Sequence, residues 1–209
     1  SDPSDIAVTA AGGLVGEVIQ VWRPRELNTH ETEWGFSCMS YEISGALGIK
    51  MANPDKEVIS FVGDGSYLLN NTDIYSSVIT NNKLIIIVCD NGGFAVINRL
   101  QLFKGGNEYN NLLKSSNTPG LVDIDFAKHA ESMGAKSEHV SSISDLEEAF
   151  KRAKKSKVTY VISIKTHAYQ WLEGSAFWDS PTLEVPTTKE NKEALRLYKE
   201  GKSKQRQGV

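Results

Sequence analysis

Apolar and polar residues alternate along the chain in blocks that predict strands and helices in turn. Apolar runs typical of buried strands occur at 6–10, 58–62, 83–89 and 158–165, and a shorter strand is predicted at 138–140. Apolar residues at helical spacing predict helices at 14–22, 42–51, 73–80, 123–133 and 145–155. The run at 83–89 is nearly all Ile, Leu and Val, so it must be covered on both faces, as in a parallel sheet. The order of elements therefore predicts an α/β fold, an open and mostly parallel sheet with helices on both faces.

Two long segments follow neither pattern. The segment 23–35 is polar and contains proline, and 91–120 shows no sustained period, so we expect both to be irregular. After residue 166 the alternation stops, and 189–205 favours a basic C-terminal helix. We therefore expect an α/β domain at 1–166 and a C-terminal extension with a helical tail at 167–209.

Composition narrows the classes of function. Of 209 residues, 40% are hydrophobic and 23% charged, which is enough to form a core and argues against disorder. A net charge of −3 disfavours a nucleic-acid-binding surface, and two isolated cysteines disfavour a disulfide scaffold. The longest apolar run is far below the ~20 residues of a membrane helix, and the polar N-terminus does not look like a signal peptide. We expect a cytoplasmic protein that handles a small molecule, with neither nucleic acid nor membrane as a partner.

A glycine-rich turn follows the first strand. Gly12, Gly13 and Gly16 open a predicted helix, as dinucleotide-binding loops do, but Ala11 stands where the first glycine belongs. No strand ending in an acidic residue follows about 20 residues later. The pattern favours a tight turn over a dinucleotide site.

Two polar loops directly follow apolar strands. Gly63-Asp64-Gly65-Ser66 follows 58–62, and Asp90-Asn91-Gly92-Gly93 follows 83–89. One helix and one strand fit between them, and a β-α-β unit of that size places both loops at the same sheet edge. A carboxylate and an amide oxygen are hard ligands that suit Mg²⁺ or Ca²⁺. The sequence thus predicts a cation site formed by Asp64 and Asn91.

These loops and their spacing resemble the thiamine-diphosphate motif, a GDG followed after about two to three dozen residues by NN. The resemblance implies that Asp64, Asn91 and the carbonyl oxygen of Gly93 bind Mg²⁺. It also implies that the turn formed by Gly63, Gly65 and Ser66 holds the diphosphate. Asp90 stands where the family has the first Asn of its pair.

A second segment supports the same family. The stretch WGFSCMSYEISGALG at 34–48 is similar to the pyrimidine-side segment of acetolactate-synthase-type members. By this resemblance Met39 lies under the bent cofactor, and the Ser37 carbonyl accepts from its 4′-amino group. Phe94 is a candidate to line the pocket beside the thiazolium ring. Taken alone, Met39 also fits a core methionine and Phe94 ordinary loop packing.

A narrower resemblance, strongest over 33–101, is to the branch of the family that opens a cyclic polyol 1,2-dione in inositol catabolism. It implies a hydrolase that cleaves a C–C bond with thiamine diphosphate and Mg²⁺. Members have three domains, and this chain resembles only the C-terminal one. We therefore expect the activating glutamate, and hence catalysis, to come from a pyrimidine-binding domain of the same or a neighbouring subunit. The expected assembly is a homo-oligomer, and the isolated chain should be inactive. An acetolactate-synthase-type carboligase, another enzyme with this cofactor and a non-catalytic binding module remain alternatives.

Overall fold

The computed structural model of the protein describes residues 1–118, 120, 122–172 and 182–205. Six parallel strands form one sheet in the order β2-β1-β3-β4-β6-β5. The strands are β1 Ile6–Thr9, β2 His30–Thr32, β3 Val58–Gly63, β4 Ile85–Asp90, β5 Lys136–Val140 and β6 Tyr160–Lys165. The predicted parallel α/β fold is confirmed.

Helices cover both faces of this sheet. They are α1 Gly13–Val21, α2 Tyr41–Ala52, α3 Asp64–Leu69, α4 Thr72–Ile79, α5 Ala95–Phe103, α6 Phe126–Ser132, α7 Ile143–Lys155 and α8 Lys189–Lys204. Side chains of α2, α4 and α6 join one buried cluster, and side chains of α7 join a second. In β4, Ile86 and Val88 belong to the first cluster, whereas Ile85 and Ile87 belong to the second. Each such side chain contributes about 1.5–3 kcal/mol on burial, so β4 anchors both layers of the core.

The register of the central strands places their following loops side by side. Gly63 at the end of β3 is paired with Cys89 of β4, and Asp90 is paired with Lys165 at the end of β6. The residues after β3 and after β4 therefore leave the sheet at one carboxyl edge, where open α/β sheets bind their ligands.

Three local expectations were wrong. The segment 23–35 contains the edge strand β2, and 91–120 contains α5 and a 3₁₀ turn at Leu113–Ser115. Asp64, expected in a loop, is the first residue of α3. Strand β2 is held by main-chain pairing with β1, and its three polar residues give no apolar signal.

The glycine-rich segment after β1 is the predicted turn. Gly12 has a φ of +86°, a conformation that favours glycine, and α1 starts at the next residue. Of the C-terminal extension, α8 is present, and Asn191 Nδ2 donates to the Gly105 carbonyl at 2.7 Å. Residues 173–181 and 206–209 of that extension lie outside the described part of the chain. No described helix combines the length and the apolar character required to cross a membrane.

Candidate functional site

The two loops predicted to form a cation site meet at the carboxyl edge of the sheet. Asp64 begins α3 and is only 4% exposed. The main-chain N–H of Asn91 donates to Asp64 Oδ1 over 3.3 Å. The adjacent strands β3 and β4 position these residues, so the predicted juxtaposition is present.

The Asn91 side-chain amide lies against two oxygens of the site. One terminal atom of its amide lies 2.8 Å from the Gly93 carbonyl oxygen and 3.3 Å from Asp64 Oδ1. In the orientation that satisfies its hydrogen bonds this atom is nitrogen, and it donates to both oxygens. With the amide turned over, its oxygen would face the same two oxygens, and a cation between the three would compensate them. Oxygen ligands 2.0–2.1 Å from Mg²⁺ in an octahedron are about 2.9 Å apart, so these separations fit a Mg²⁺ ligand set.

The donor set is unusually poor in charge for a metal site. Among the described residues, no three His, Cys, Asp or Glu side chains cluster so as to hold a metal. A cation between Asp64, Asn91 and Gly93 would rely on one carboxylate, one amide and one main-chain carbonyl. Such a set leaves room for ligands from a bound phosphate, as is usual for Mg²⁺.

Burial dominates the electrostatics of Asp64. Burial, together with the nearby charge of Asp90, raises the pKa of this carboxyl to about 6. Asp90 is itself held by Lys165, whose Nζ lies 2.6 Å from Oδ2. Its Oδ1 accepts from the N–H of Gly92 at 3.0 Å. The aspartate in place of the family's first Asn therefore shapes the turn before Gly93, and a bound cation would favour the ionised form of Asp64.

A second loop, at 111–113, is hydrogen-bonded to the loop at 90–94 that contains Asn91 and Gly93, here called the cation loop. The Phe94 N–H donates to the Asn111 carbonyl at 2.7 Å, and the Leu113 N–H donates to the Gly92 carbonyl at 2.9 Å. Gly93 has a φ of +141°, and a Cβ there would lie 2.4 Å from the Asn111 oxygen. The sequence pattern gives no sign of this support, because Asn111 and Leu113 fall in the segment expected to be irregular.

The first turn of α3 contains the residues predicted to hold a diphosphate. Because they lie in the first turn, the N–H groups of Gly65 and Ser66 have no partner within the helix. A Cβ on Gly65 would lie 2.6 Å from Cε1 of Phe94, so the Phe94 ring packs directly on this turn. Phe94 is still 38% exposed and also faces the open edge.

The loop before α2 carries the residues predicted on the pyrimidine side. The Glu33 carboxylate accepts from the N–H groups of Phe36 at 2.8 Å and Cys38 at 2.6 Å. Ser37 lies between them with a φ of +52°, and Met39 follows, half-buried. The role of Glu33 in shaping this loop has no signal in the sequence, since only the folded loop shows which N–H groups its carboxylate binds.

The chain matches the family model of the thiamine pyrophosphate enzymes, for their C-terminal TPP-binding domain, over residues 10–164. A relative from Bacillus licheniformis is 35% identical over 199 residues, and one from Clostridium tetani is 38% identical over 183 residues. Both relatives are named 3D-(3,5/4)-trihydroxycyclohexane-1,2-dione hydrolase. These matches cover 95% and 85% of this chain but only 31% and 28% of the relatives, so the chain spans under a third of their length.

A solved structure shows the same fold. The thiamine diphosphate-dependent 4-hydroxybenzoylformate decarboxylase of Rhodococcus jostii RHA1 matches with a TM-score of 0.65 and 22% identity. The match covers 82% of this chain and 31% of that one. At this identity the likeness concerns the architecture of the sheet and its helices.

Proposed function

Because this chain belongs to the thiamine pyrophosphate enzymes, as their C-terminal cofactor-binding domain, we propose that it anchors thiamine diphosphate through Mg²⁺ at the ends of β3 and β4. The observation that carries the proposal is the convergence of the Asp64 carboxylate, the Asn91 side-chain amide and the Gly93 carbonyl, with one amide atom 2.8 Å from the Gly93 oxygen and 3.3 Å from Asp64 Oδ1. The amides of Gly65 and Ser66, in the turn that follows Gly63, would bind the diphosphate oxygens.

The remaining site residues would hold the other end of the cofactor. In this proposal Met39 supports the bent cofactor, the Ser37 carbonyl accepts from its amino group, and Phe94 shields the edge beside the diphosphate turn from water. When bound, thiamine diphosphate supplies the nucleophilic carbon and the electron sink for cleaving a C–C bond next to a carbonyl. The chain's own contribution is to bind, orient and shield that group.

The names of the relatives extend the proposal to a substrate. We propose that the whole protein hydrolyses a trihydroxycyclohexane-1,2-dione, adding water across the bond between the two carbonyl carbons and so opening the ring. No catalytic residue is assigned in this chain, because the activating glutamate is expected in a pyrimidine-binding domain of the same or a neighbouring subunit. The isolated chain should therefore bind but not turn over. A homo-oligomer in the cytoplasm is the expected setting.

Exposed aromatic side chains support a docking partner at this edge. Phe36 is 88% exposed and Phe103 is 67% exposed, and Trp34 is also open to solvent. Trp34 and Phe36 lie in the loop before α2, and Phe103 is the last residue of α5, the helix that follows Phe94. A second domain covering the cofactor would bury them.

The test is Mg²⁺-dependent binding of thiamine diphosphate to the chain, measured by calorimetry for the parent protein and for Asp64→Asn. Removing the single charged ligand should weaken binding by at least about 100-fold, since loss of an outer-shell partner already costs 10–100-fold. Asp73→Asn is the matched control, because Asp73 also lies in the first turn of a helix, α4, but has no part in the proposed ligand set. Equal affinity in parent and Asp64→Asn would overturn the metal assignment.

A further inference from the structure

A buried glutamate lies beneath the candidate site and has no part in the proposed ligand set. Glu42 is in the first turn of α2 and is only 1% exposed. The hydroxyl of Ser66 donates to Glu42 Oε2 at 2.7 Å, and Ser66 is itself 3% exposed. A buried carboxylate is costly unless hydrogen bonds compensate it, so this contact is a defined feature of the fold.

The Ser66 hydroxyl also accepts a hydrogen bond. The main-chain N–H of Ser40 donates to Ser66 Oγ at 2.6 Å. Since the one hydroxyl proton is directed to Glu42, it is not available to a phosphate oxygen. In this arrangement only the main-chain N–H of Ser66 can donate to a diphosphate, and its side chain connects Glu42 with Ser40.

The Ser66 side chain connects the two ends of the predicted cofactor site. Ser66 belongs to the diphosphate turn, whereas Ser40 ends the loop that carries Ser37 and Met39. Ser40 has a φ of +76°, so its main chain is held in a conformation that serine rarely adopts. The Glu42 carboxylate also accepts a long hydrogen bond, 3.5 Å, from the N–H of Ala11 after β1. One carboxylate thus contacts residues of three loops at the carboxyl edge, directly or through Ser66.

We propose that Ser66 and Glu42 are positioning residues that couple the diphosphate turn to the pyrimidine-side loop. Binding of Mg²⁺ and diphosphate at Asp64 fixes the first turn of α3, and the Ser66 side chain transmits that order to Ser40 and the loop before it. Burial raises the pKa of the Glu42 carboxyl, and the hydrogen bond from Ser66 opposes that rise by favouring the ionised form. The inference rests on the proposed function, since it assumes that a diphosphate binds at this turn.

The experiment measures amide hydrogen exchange of residues 36–41 with and without Mg²⁺ plus inorganic pyrophosphate. Pyrophosphate has no pyrimidine, so any ordering of this loop must be transmitted from the diphosphate turn. In the parent protein, exchange of the loop should slow by about fivefold or more, the range of ordinary coupling between sites. In Ser66→Ala the slowing should vanish even at saturating Mg²⁺-pyrophosphate, with the saturating concentration set for each variant by calorimetry. Glu42→Gln, with a weaker acceptor, should show a reduced effect.

Ser60→Ala is the matched control. Ser60 is fully buried, and its hydroxyl donates to the main-chain carbonyl of Glu42 at 2.9 Å. This variant removes the same group next to the same glutamate but leaves the Ser66 connection intact, so the loop should still become ordered. Loop ordering that survives in Ser66→Ala, or that is absent in a parent protein that binds pyrophosphate, would overturn the coupling. A parent protein that binds no Mg²⁺-pyrophosphate would instead overturn the proposed function, and the coupling with it.

Discussion

Replacing Gly93 by alanine should damage the cation loop far more than the same change at its neighbour Gly92. Both glycines have positive φ, +80° at Gly92 and +141° at Gly93. They differ in their surroundings, because a Cβ on Gly92 meets nothing within 4 Å, whereas a Cβ on Gly93 lies 2.4 Å from the Asn111 oxygen. The pair therefore separates the cost of backbone conformation from the cost of a steric clash.

The magnitudes follow from these contacts. Alanine at Gly92 has only the conformational cost, about 1–2 kcal/mol. At Gly93 a conformational cost of about 1–3 kcal/mol is joined by an overlap worth another 1–3 kcal/mol. The overlapping atoms are main chain and are held by the hydrogen bond between Phe94 N–H and the Asn111 carbonyl, so they cannot rotate away. We expect Gly93→Ala to lose about 2–6 kcal/mol, and at about 2–4 °C per kcal/mol its melting temperature should fall well below that of Gly92→Ala.

Thermal unfolding of both variants, followed by calorimetric titration with Mg²⁺ and thiamine diphosphate, checks this expectation. Gly93→Ala should lose binding because the carbonyl oxygen of residue 93 moves away from Asp64 and Asn91. Gly92→Ala should keep its affinity within a few-fold. Melting temperatures that agree within about 2 °C would refute the steric argument. Unchanged affinity in Gly93→Ala would refute the role of its carbonyl.

Two further predictions concern side chains away from the candidate site. Hydrogen bonds from Arg152 hold the pKa of the Glu138 carboxyl below its ordinary 4.5, so the stability from this pair is present above that pH and is lost as the pH falls through the lowered pKa. In urea titrations at neutral pH and at about pH 3, the free energy of unfolding should therefore fall less on acidification for Glu138→Gln than for the parent. The exposed control Glu148→Gln should differ from the parent by less, and an equal fall in Glu138→Gln and the parent would contradict this expectation. The buried Tyr67 hydroxyl lies 2.9 Å from His129 Nδ1, so Tyr67→Phe should lower the free energy of unfolding by about 1 kcal/mol, and an unchanged urea midpoint would show that the bond contributes nothing.

The parts of the fold that the sequence predicted are those with a strong local signal. Strands β3, β4 and β6 are apolar because both of their faces are buried, and the residues that follow β3 and β4 are polar because they leave the sheet. The meeting of Asp64 and Asn91 could then be predicted from their spacing, because neighbouring parallel strands end at the same edge of the sheet. For these strands, burial on both faces is at once the reason for the apolar pattern and the feature that the pattern predicts.

The parts that were missed depend on contacts across the fold. Strand β2 has no apolar pattern, since an edge strand of three residues is held by main-chain bonds to β1. Glu42 and Ser66 are 24 residues apart, and nothing in either segment indicates that they meet. Helix α5 is different, because Val96 and Leu100 already show helical spacing. The glycines on both sides of that helix obscured it.

Strand β4 has a consequence for the way this chain is made. The residues 84–88 are all apolar and carry no charge, the kind of segment that pairs with copies of itself when exposed. One edge of β4 pairs with β6, which begins about 70 residues further along the chain. At a synthesis rate of about 5–20 residues per second, that edge waits about 4–14 s on the ribosome for its partner. During that interval only Lys83 and Asp90 flank the segment with charge, and in the finished fold they pair with Glu57 and Lys165. We therefore expect these two charges to disfavour self-association of the nascent strand before they form their ion pairs in the sheet.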